Sequence, residues 1–208
     1  MTSTSNVQDR PGQMLGVRCS KPVRRPQHGD TLARVVGDYV KHCRARAHAE
    51  RIHYAGLSLR DAVRLAGLAQ TQDCRRFSHQ RRIRRAVLRR SSELLVRGLA
   101  NLKASRDFDD LYARIRATVG HLRGIGALTL YDTANRIAGR LKLEPTRVYL
   151  HAGTLDGARA LGLSTDEEVL EMSAVPREFR RLRPREVEDA FCIFKERIAR
   201  IRASRAAR

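Results

Sequence analysis

The chain has no tryptophan, and aromatic residues make up only 5% of it. A membrane-surface helix that anchors through bulky aromatics is therefore disfavoured. No run approaches 18 consecutive apolar residues, which excludes a transmembrane helix from the reading. Met1 to Asp9 lacks the apolar core of a signal peptide, so a cytosolic protein is expected, nucleoid-associated if bacterial. The four cysteines, Cys19, Cys43, Cys74 and Cys192, are scattered without metal-ligand or iron–sulfur spacing. Reduced thiols and no cofactor are expected.

Acid is also scarce. Against 42 Lys+Arg stand 22 Asp+Glu, a formal net charge of +20. Only five of the cations are lysine, and a GC-rich genome accounts for that preference without accounting for the missing acids. Residues 1–100 carry 21 cations and 7 acids, or +14, whereas residues 101–208 carry 21 and 15, or +6. Such an imbalance repels itself unless a polyanion neutralises it, and nucleic acid is the first candidate. At 42% hydrophobic residues the chain still has enough apolar surface to fold.

Residues 1–29, with Pro11, Pro22 and Pro26, read as a flexible basic arm carrying Arg18, Lys21, Arg24 and Arg25. Beyond it the periodicity is helical, so an all-α domain is expected, with two lobes, 30–104 and 105–208. Leu32, Val35, Val36, Tyr39, Val40 and Cys43 mark one helix, capped by Asp30 or Thr31. Ser58 with Asp61 opens another through Ala66. Further helices are expected over 78–97, 105–119, from Gly126 to near Leu141, over 154–161, and over 165–172 behind a Ser164/Glu167 capping box. The acids Asp166, Glu167, Glu168 and Glu171 would sit in that last helix's first turn. The final helix starts at Pro184 and repeats Val187, Phe191, Phe194, Ile198 and Ile201, a core face or a dimer seam. Arg147 to Leu150 is the sole strand candidate.

Two stretches point to nucleic acid. Arg75, Arg76, Arg81, Arg82, Arg84, Arg85, Arg89 and Arg90 fall between Cys74 and Arg90 with no acid among them. On a continuous helix Arg81, Arg82, Arg85 and Arg89 share roughly a quarter-turn sector. Planar guanidinium forks suit phosphate, whereas a solvated face in an Arg-rich protein is the plainer alternative. The preceding Leu59 to Leu68 resembles the first helix and turn of a helix-turn-helix, with Gln70 to Arg85 as its recognition helix.

The second stretch is Leu122-Arg123-Gly124-Ile125-Gly126-Ala127-Leu128-Thr129, set between two amphipathic segments. It resembles the helix-hairpin-helix motif of DNA-binding and DNA-repair proteins from Asp110 to Leu141. Leu122 takes the leading apolar place, Gly124 and Gly126 the two glycines, Ile125 the apolar residue between them, and Thr129 the polar position. Arg123 replaces the usual proline and Leu130 a usual small residue. The resemblance implies duplex phosphates bound by backbone amides from the minor-groove side, without base reading. Helix starts favour anions on physical grounds as well. Double-stranded DNA is accordingly the expected partner, contacted through Arg123, Gly124, Ile125, Gly126 and Thr129 and through Arg75, Arg76, Arg81, Arg82, Arg85 and Arg89. RNA or a protein partner is the alternative.

Repair enzymes carrying this motif place a catalytic Asp well beyond the second helix. Asp132 stands too early and is expected to face solvent or pair with Arg136 at i+4. Asp156 is the remaining candidate for catalysis, and no lysine occurs over residues 104–141. His151, Gly153, Thr154 and Gly157 read either as a phosphate-binding turn or as a polar loop with a Thr cap.

Overall fold

The apolar spacing from Leu32 produces α1 (Leu32–His42), whose Thr31 side chain accepts the Arg34 amide at 3.3 Å. This is a computed structural model, and it describes residues 30–206; the expected basic arm lies outside the described residues. α2 (Arg44–Gly56) follows directly and buries only Tyr54 fully. α3 (Leu59–Gly67) starts where Ser58 and Asp61 exchange hydrogen bonds, Asp61 N to Ser58 Oγ at 3.1 Å and Ser58 Oγ to the Asp61 carboxylate at 2.6 Å. α4 (Arg85–Arg97), α5 (Leu99–Lys103) and α6 (Phe108–Val119) come next, the last capped by Asp107. α7 (Ala127–Leu141) closes through Lys142 in a left-handed conformation. β1 (Val148–Tyr149), α8 (Ala152–Ala160), β2 (Val169–Leu170) and α9 (Pro184–Ala206) complete the described chain.

The protein is therefore mostly helical, with a single two-stranded antiparallel sheet among the described residues. Val148 pairs with Leu170 and Tyr149 with Val169. α3 to α7 enclose one core around Leu95, Phe108, Leu111, Ile115, Tyr131 and Ile137. The break expected at residue 104 runs through this core, because Leu102 and Phe108 both belong to it. α1, α8 and α9 enclose a second around Val35, Tyr39, Phe179, Phe191 and Ile198. β1 stands between the two, and its alternation sends Tyr149 to the first and Val148 and Leu150 to the second.

All five apolar residues read from the α9 pattern are buried in the second core. At about 1.5–3 kcal/mol each, that burial holds down a helix otherwise rich in arginine. α8 reaches α9 closely enough that a Cβ at Gly157 would stand 2.5 Å from the Phe191 carbonyl oxygen. Gly153 and Thr154 are buried in the same contact, and His151, not Thr154, occupies the helix cap position. The phosphate-turn reading of this segment gives way to helix packing.

Three other expectations change. The helix expected over 78–97 is a short 3-10 turn, Ser78–Gln80, followed by a bend and then α4 from Arg85. The cause is tertiary: Gln80 is 1% exposed and its amide bridges Asp132 and Arg136. Arg76 reinforces the bend by donating to the carbonyls of Arg81 at 3.1 Å and Ile83 at 2.8 Å. The helix-turn-helix likeness fails with it, since Ala69 and Cys74 take positive φ and residues 70–84 contain no α-helix. Residues 165–172 form a loop running into β2. Ser164 Oγ bonds Asp166 at 2.9 Å instead of closing a capping box, while Glu168 pairs with Arg116 at 2.7 Å.

Candidate nucleic-acid interface and the cleft beside it

α6 and α7 are joined by residues 120–126. Gly120 N bonds Arg116 O at 2.8 Å, Leu122 N bonds Val119 O at 3.0 Å, and Ile125 N closes a β-turn on Leu122 O at 2.9 Å. Gly124, third in that turn, has φ +101°, a value that favours glycine, and Arg123 occupies the second place, where proline is common. Gly126 then caps α7 without a side-chain hydrogen bond, leaving the first-turn amides of α7 to whatever approaches from outside.

Arg123, Gly124, Gly126 and Ala127 are exposed, and a Cβ at Gly124 or Gly126 would meet nothing within 4 Å. Ile125 is 8% exposed and joins the core, locking the turn as expected. Thr129 is buried too, and its carbonyl accepts Thr133 Oγ1 at 2.7 Å. Of the five hairpin positions, Ile125 and Thr129 hold the loop, and Arg123, Gly124 and Gly126 present it.

The arginines divide in the same way. Arg75, Arg81, Arg82, Arg84, Arg85, Arg89 and Arg90 are exposed, whereas Arg76 is half-buried and committed to the bend. Arg81 and Arg82 lie in the bend rather than on α4, so the quarter-turn sector does not exist as a helix face. Arg84 caps α4 and Arg85 begins it, with no acid in the first turn. Cations at a helix start oppose its dipole. Among the described residues, Arg82, Arg84, Arg85 and Arg89 have no ion-pair partner. An anion placed there relieves both penalties.

Between this bend and the hairpin helix lies a cleft of about 320 Å³, walled by α2, Phe77 to His79, α7 and the start of α9. Its first wall is a connected network. Asp132 accepts His79 Nε2 at 2.6 Å and Gln80 Nε2 at 3.1 Å, with Arg136 Nη2 at 3.6 Å. Arg136 is 4% exposed, donates to Glu50 at 3.0 Å and to Gln80 Oε1 at 3.2 Å, and lies 3.7 Å over the Phe77 ring. Burial pushes the Asp132 carboxyl up, but the Arg136 charge and the His79 hydrogen bond outweigh it and hold it below the ordinary range.

The α9 wall behaves oppositely. Glu188 accepts Thr154 Oγ1 at 2.7 Å and has His151 Nε2 at 3.2 Å, and Asp189 accepts the Tyr39 hydroxyl at 3.1 Å. Burial and the Asp189 charge push Glu188 well above the carboxylate range, and burial pushes Asp189 up to about 6. Cys192, in the same wall, is driven up to about 12 by burial and by Glu188, so it is no nucleophile at neutral pH.

A carboxyl whose pKa the fold raises contributes stability at pH below its unfolded value, and loses it as pH rises through the folded value. Glu188 and Asp189 therefore make the fold weaker as pH climbs from about 4 through 6. His151, whose pKa burial lowers, acts in the opposite sense as pH falls below its ordinary value. Glu188→Gln keeps the Thr154 bond and removes one titration, so the difference between wild-type and variant melting temperatures should widen in the variant's favour from pH 4.5 to 7.5. A constant difference across that range would show that Glu188 is ionised throughout.

Asp156 lies outside this cleft. It is exposed on α8 and paired with Lys195 at 2.5 Å, a surface ion pair. Asp132 does pair with Arg136, but it is turned inward rather than facing solvent. Sequence reading missed Glu50, His79, Glu188 and Asp189, and only the i, i+4 spacing of Asp132 and Arg136 hinted at the network. No family model, curated protein or solved structure matches this chain. Among the described residues, no helix is long and apolar enough to cross a membrane.

Proposed function

We propose that this chain binds double-stranded DNA through its phosphates, largely without reading sequence. The observation that carries the reading is that the bend bearing Arg81 and Arg82 is tied by hydrogen bonds to the helix that follows the hairpin. Leu128, in the first turn of α7 after the hairpin, and His79, two residues before Arg81, line the same cleft. Asp132 ties the two together through His79 and Gln80. Hairpin amides and Arg123 would take one stretch of backbone, and Arg81, Arg82, Arg85 and Arg89 another. Net charge supplies the long-range attraction.

Titrating affinity against salt for duplex DNA, single strands and RNA tests the reading, because the slope counts the phosphates engaged. Duplex DNA should bind tightest and show the steepest slope; structured RNA winning the competition would overturn the assignment. The hairpin has its own test. Gly126 has φ −106°, which any residue adopts, and open space beside it, so Gly126→Val should cost at most about 1 kcal/mol of stability. The same branched side chain would hold a phosphate off the amides and lower duplex affinity roughly tenfold, about the worth of one charge-assisted hydrogen bond. Helical content by circular dichroism should be unchanged. Unaltered affinity would remove the hairpin from the interface.

A second reading, a repair-type enzyme, is favoured by the cleft itself, where Asp132, held below the ordinary carboxylate range, and Glu188, pushed above it by burial, line one space. Turnover on damaged duplexes that disappears in Asp132→Asn would establish it. Asp156→Asn should leave any such turnover intact.

A further inference from the structure

A second groove borders the hairpin. Tyr112 and Arg116 of α6, Gly120 of the turn, Ala127 and Leu130 of α7, and Glu168 from the loop before β2 line it. Arg116 runs along the first residue of the hairpin loop. A Cβ on Gly120 would stand 2.5 Å from the Arg116 carbonyl oxygen and 3.5 Å from its Cγ, so only a glycine fits beside the arginine stem. Ala127 is the first residue of α7 and brings the start of the hairpin helix to the same groove.

The anion in this groove belongs to the protein itself. Arg116 Nη1 donates to Glu168 Oε2 at 2.7 Å, and the two side chains are 55% and 64% exposed. The small sheet fixes the backbone there, because the Glu168 carbonyl accepts Leu150 N at 2.7 Å. Four of the chain's 22 acids, Asp166, Glu167, Glu168 and Glu171, stand within residues 166–171, so this loop is negative in a chain of net charge +20. Of these four, only Glu168 lines the groove. An ion pair this exposed is weak, because water and salt screen it. A strand of regularly repeated phosphates therefore competes well with one carboxylate for the same guanidinium.

We propose that this groove is a third phosphate subsite, in which Arg116 takes a duplex phosphate and Glu168 holds that place while the protein is free. The inference rests on the DNA reading above and extends the interface from the hairpin loop onto α6. Every duplex that binds must displace the carboxylate, so affinity is set below what the cations alone would give.

The experiment measures duplex affinity at about 0.1 M salt for the wild-type chain, Glu168→Gln, Arg116→Ala and the double variant. Glu167→Gln, at the neighbouring exposed acid, removes the same charge and is the control. Glu168→Gln should tighten binding about threefold to fivefold, the worth of an exposed ion pair, and the control by less than about twofold. Arg116→Ala should weaken the Glu168→Gln protein about eightfold, one phosphate's share at that salt, and the wild type by less. With Arg116 gone, Glu168→Gln should gain no more than the control. Urea midpoints should barely move, since both side chains are exposed. The subsite is overturned if the wild type binds duplex and Glu168→Gln gains no more than Glu167→Gln, or if its gain survives the loss of Arg116. A wild-type chain that binds no duplex overturns the DNA reading, and this subsite with it.

Discussion

Replacing Asp132 by alanine should lower the stability of the fold by about 3 kcal/mol, towards the lower end of the cost of breaking a buried ion pair. The loss is large because of what the carboxylate leaves behind. Arg136 is 4% exposed and would keep its charge, with Glu50, itself 36% exposed, as its remaining anion. The Gln80 amide would lose its acceptor in a position that is 1% exposed. Glu50 keeps the cost from reaching the upper end. Asp132→Asn retains the shape and part of the hydrogen bonding, so it should cost about half as much. Replacing both partners, Asp132→Ala with Arg136→Met, should be less damaging than the sum of the single changes, since no uncompensated charge stays buried. Urea unfolding of the four proteins measures the cycle. A cost under about 1 kcal/mol for Asp132→Ala would mean that water reaches Arg136 and that the wall is not a sealed network.

The same network explains which parts of the fold were legible. Thr31, Ser58 and Pro184 mark helix starts because a cap or a first-turn proline acts within three residues of its own position. The hairpin was legible for a similar reason: Gly124 and Ile125 close a turn on Leu122, and the whole device is seven residues long. α2 was not, because Arg44 to Gly56 shows hardly any apolar stripe and is held by Tyr54, by Glu50 reaching Arg136 of α7 and by Arg51 reaching the Leu143 carbonyl in the loop after it. The bend at Arg81 was hidden for the opposite reason. Its local sequence suits a helix, and what interrupts it is a hydrogen bond from Gln80 to Asp132, 52 residues away. The cleft brings together positions as distant as Glu50 and Glu188, and no spacing rule links them.

That correction changes what the arginines can do, and it makes their removal the more informative test of function. On a continuous helix Arg81, Arg82, Arg85 and Arg89 would have formed one straight stripe. In the structure two of them project from a bend tied to the hairpin helix, and two from the exposed start of α4, where the dipole already attracts anions. Each phosphate neutralised contributes a salt slope of about −0.9, equivalent to roughly eightfold in affinity at 0.1 M salt. Replacing all four by alanine should therefore reduce duplex affinity on the order of a thousandfold and flatten the slope by roughly three to four. Stability should barely move, because none of the four side chains is buried and alanine favours helix at least as well as arginine. A matched set of exposed arginines elsewhere, Arg177, Arg181, Arg200 and Arg202, provides the control. It removes the same net charge from +20 and so lowers long-range attraction equally. If phosphates sit on the bend, the first set flattens the slope far more than the second. Equal effects would show that the charge acts only as a diffuse field, leaving the hairpin to hold the duplex alone.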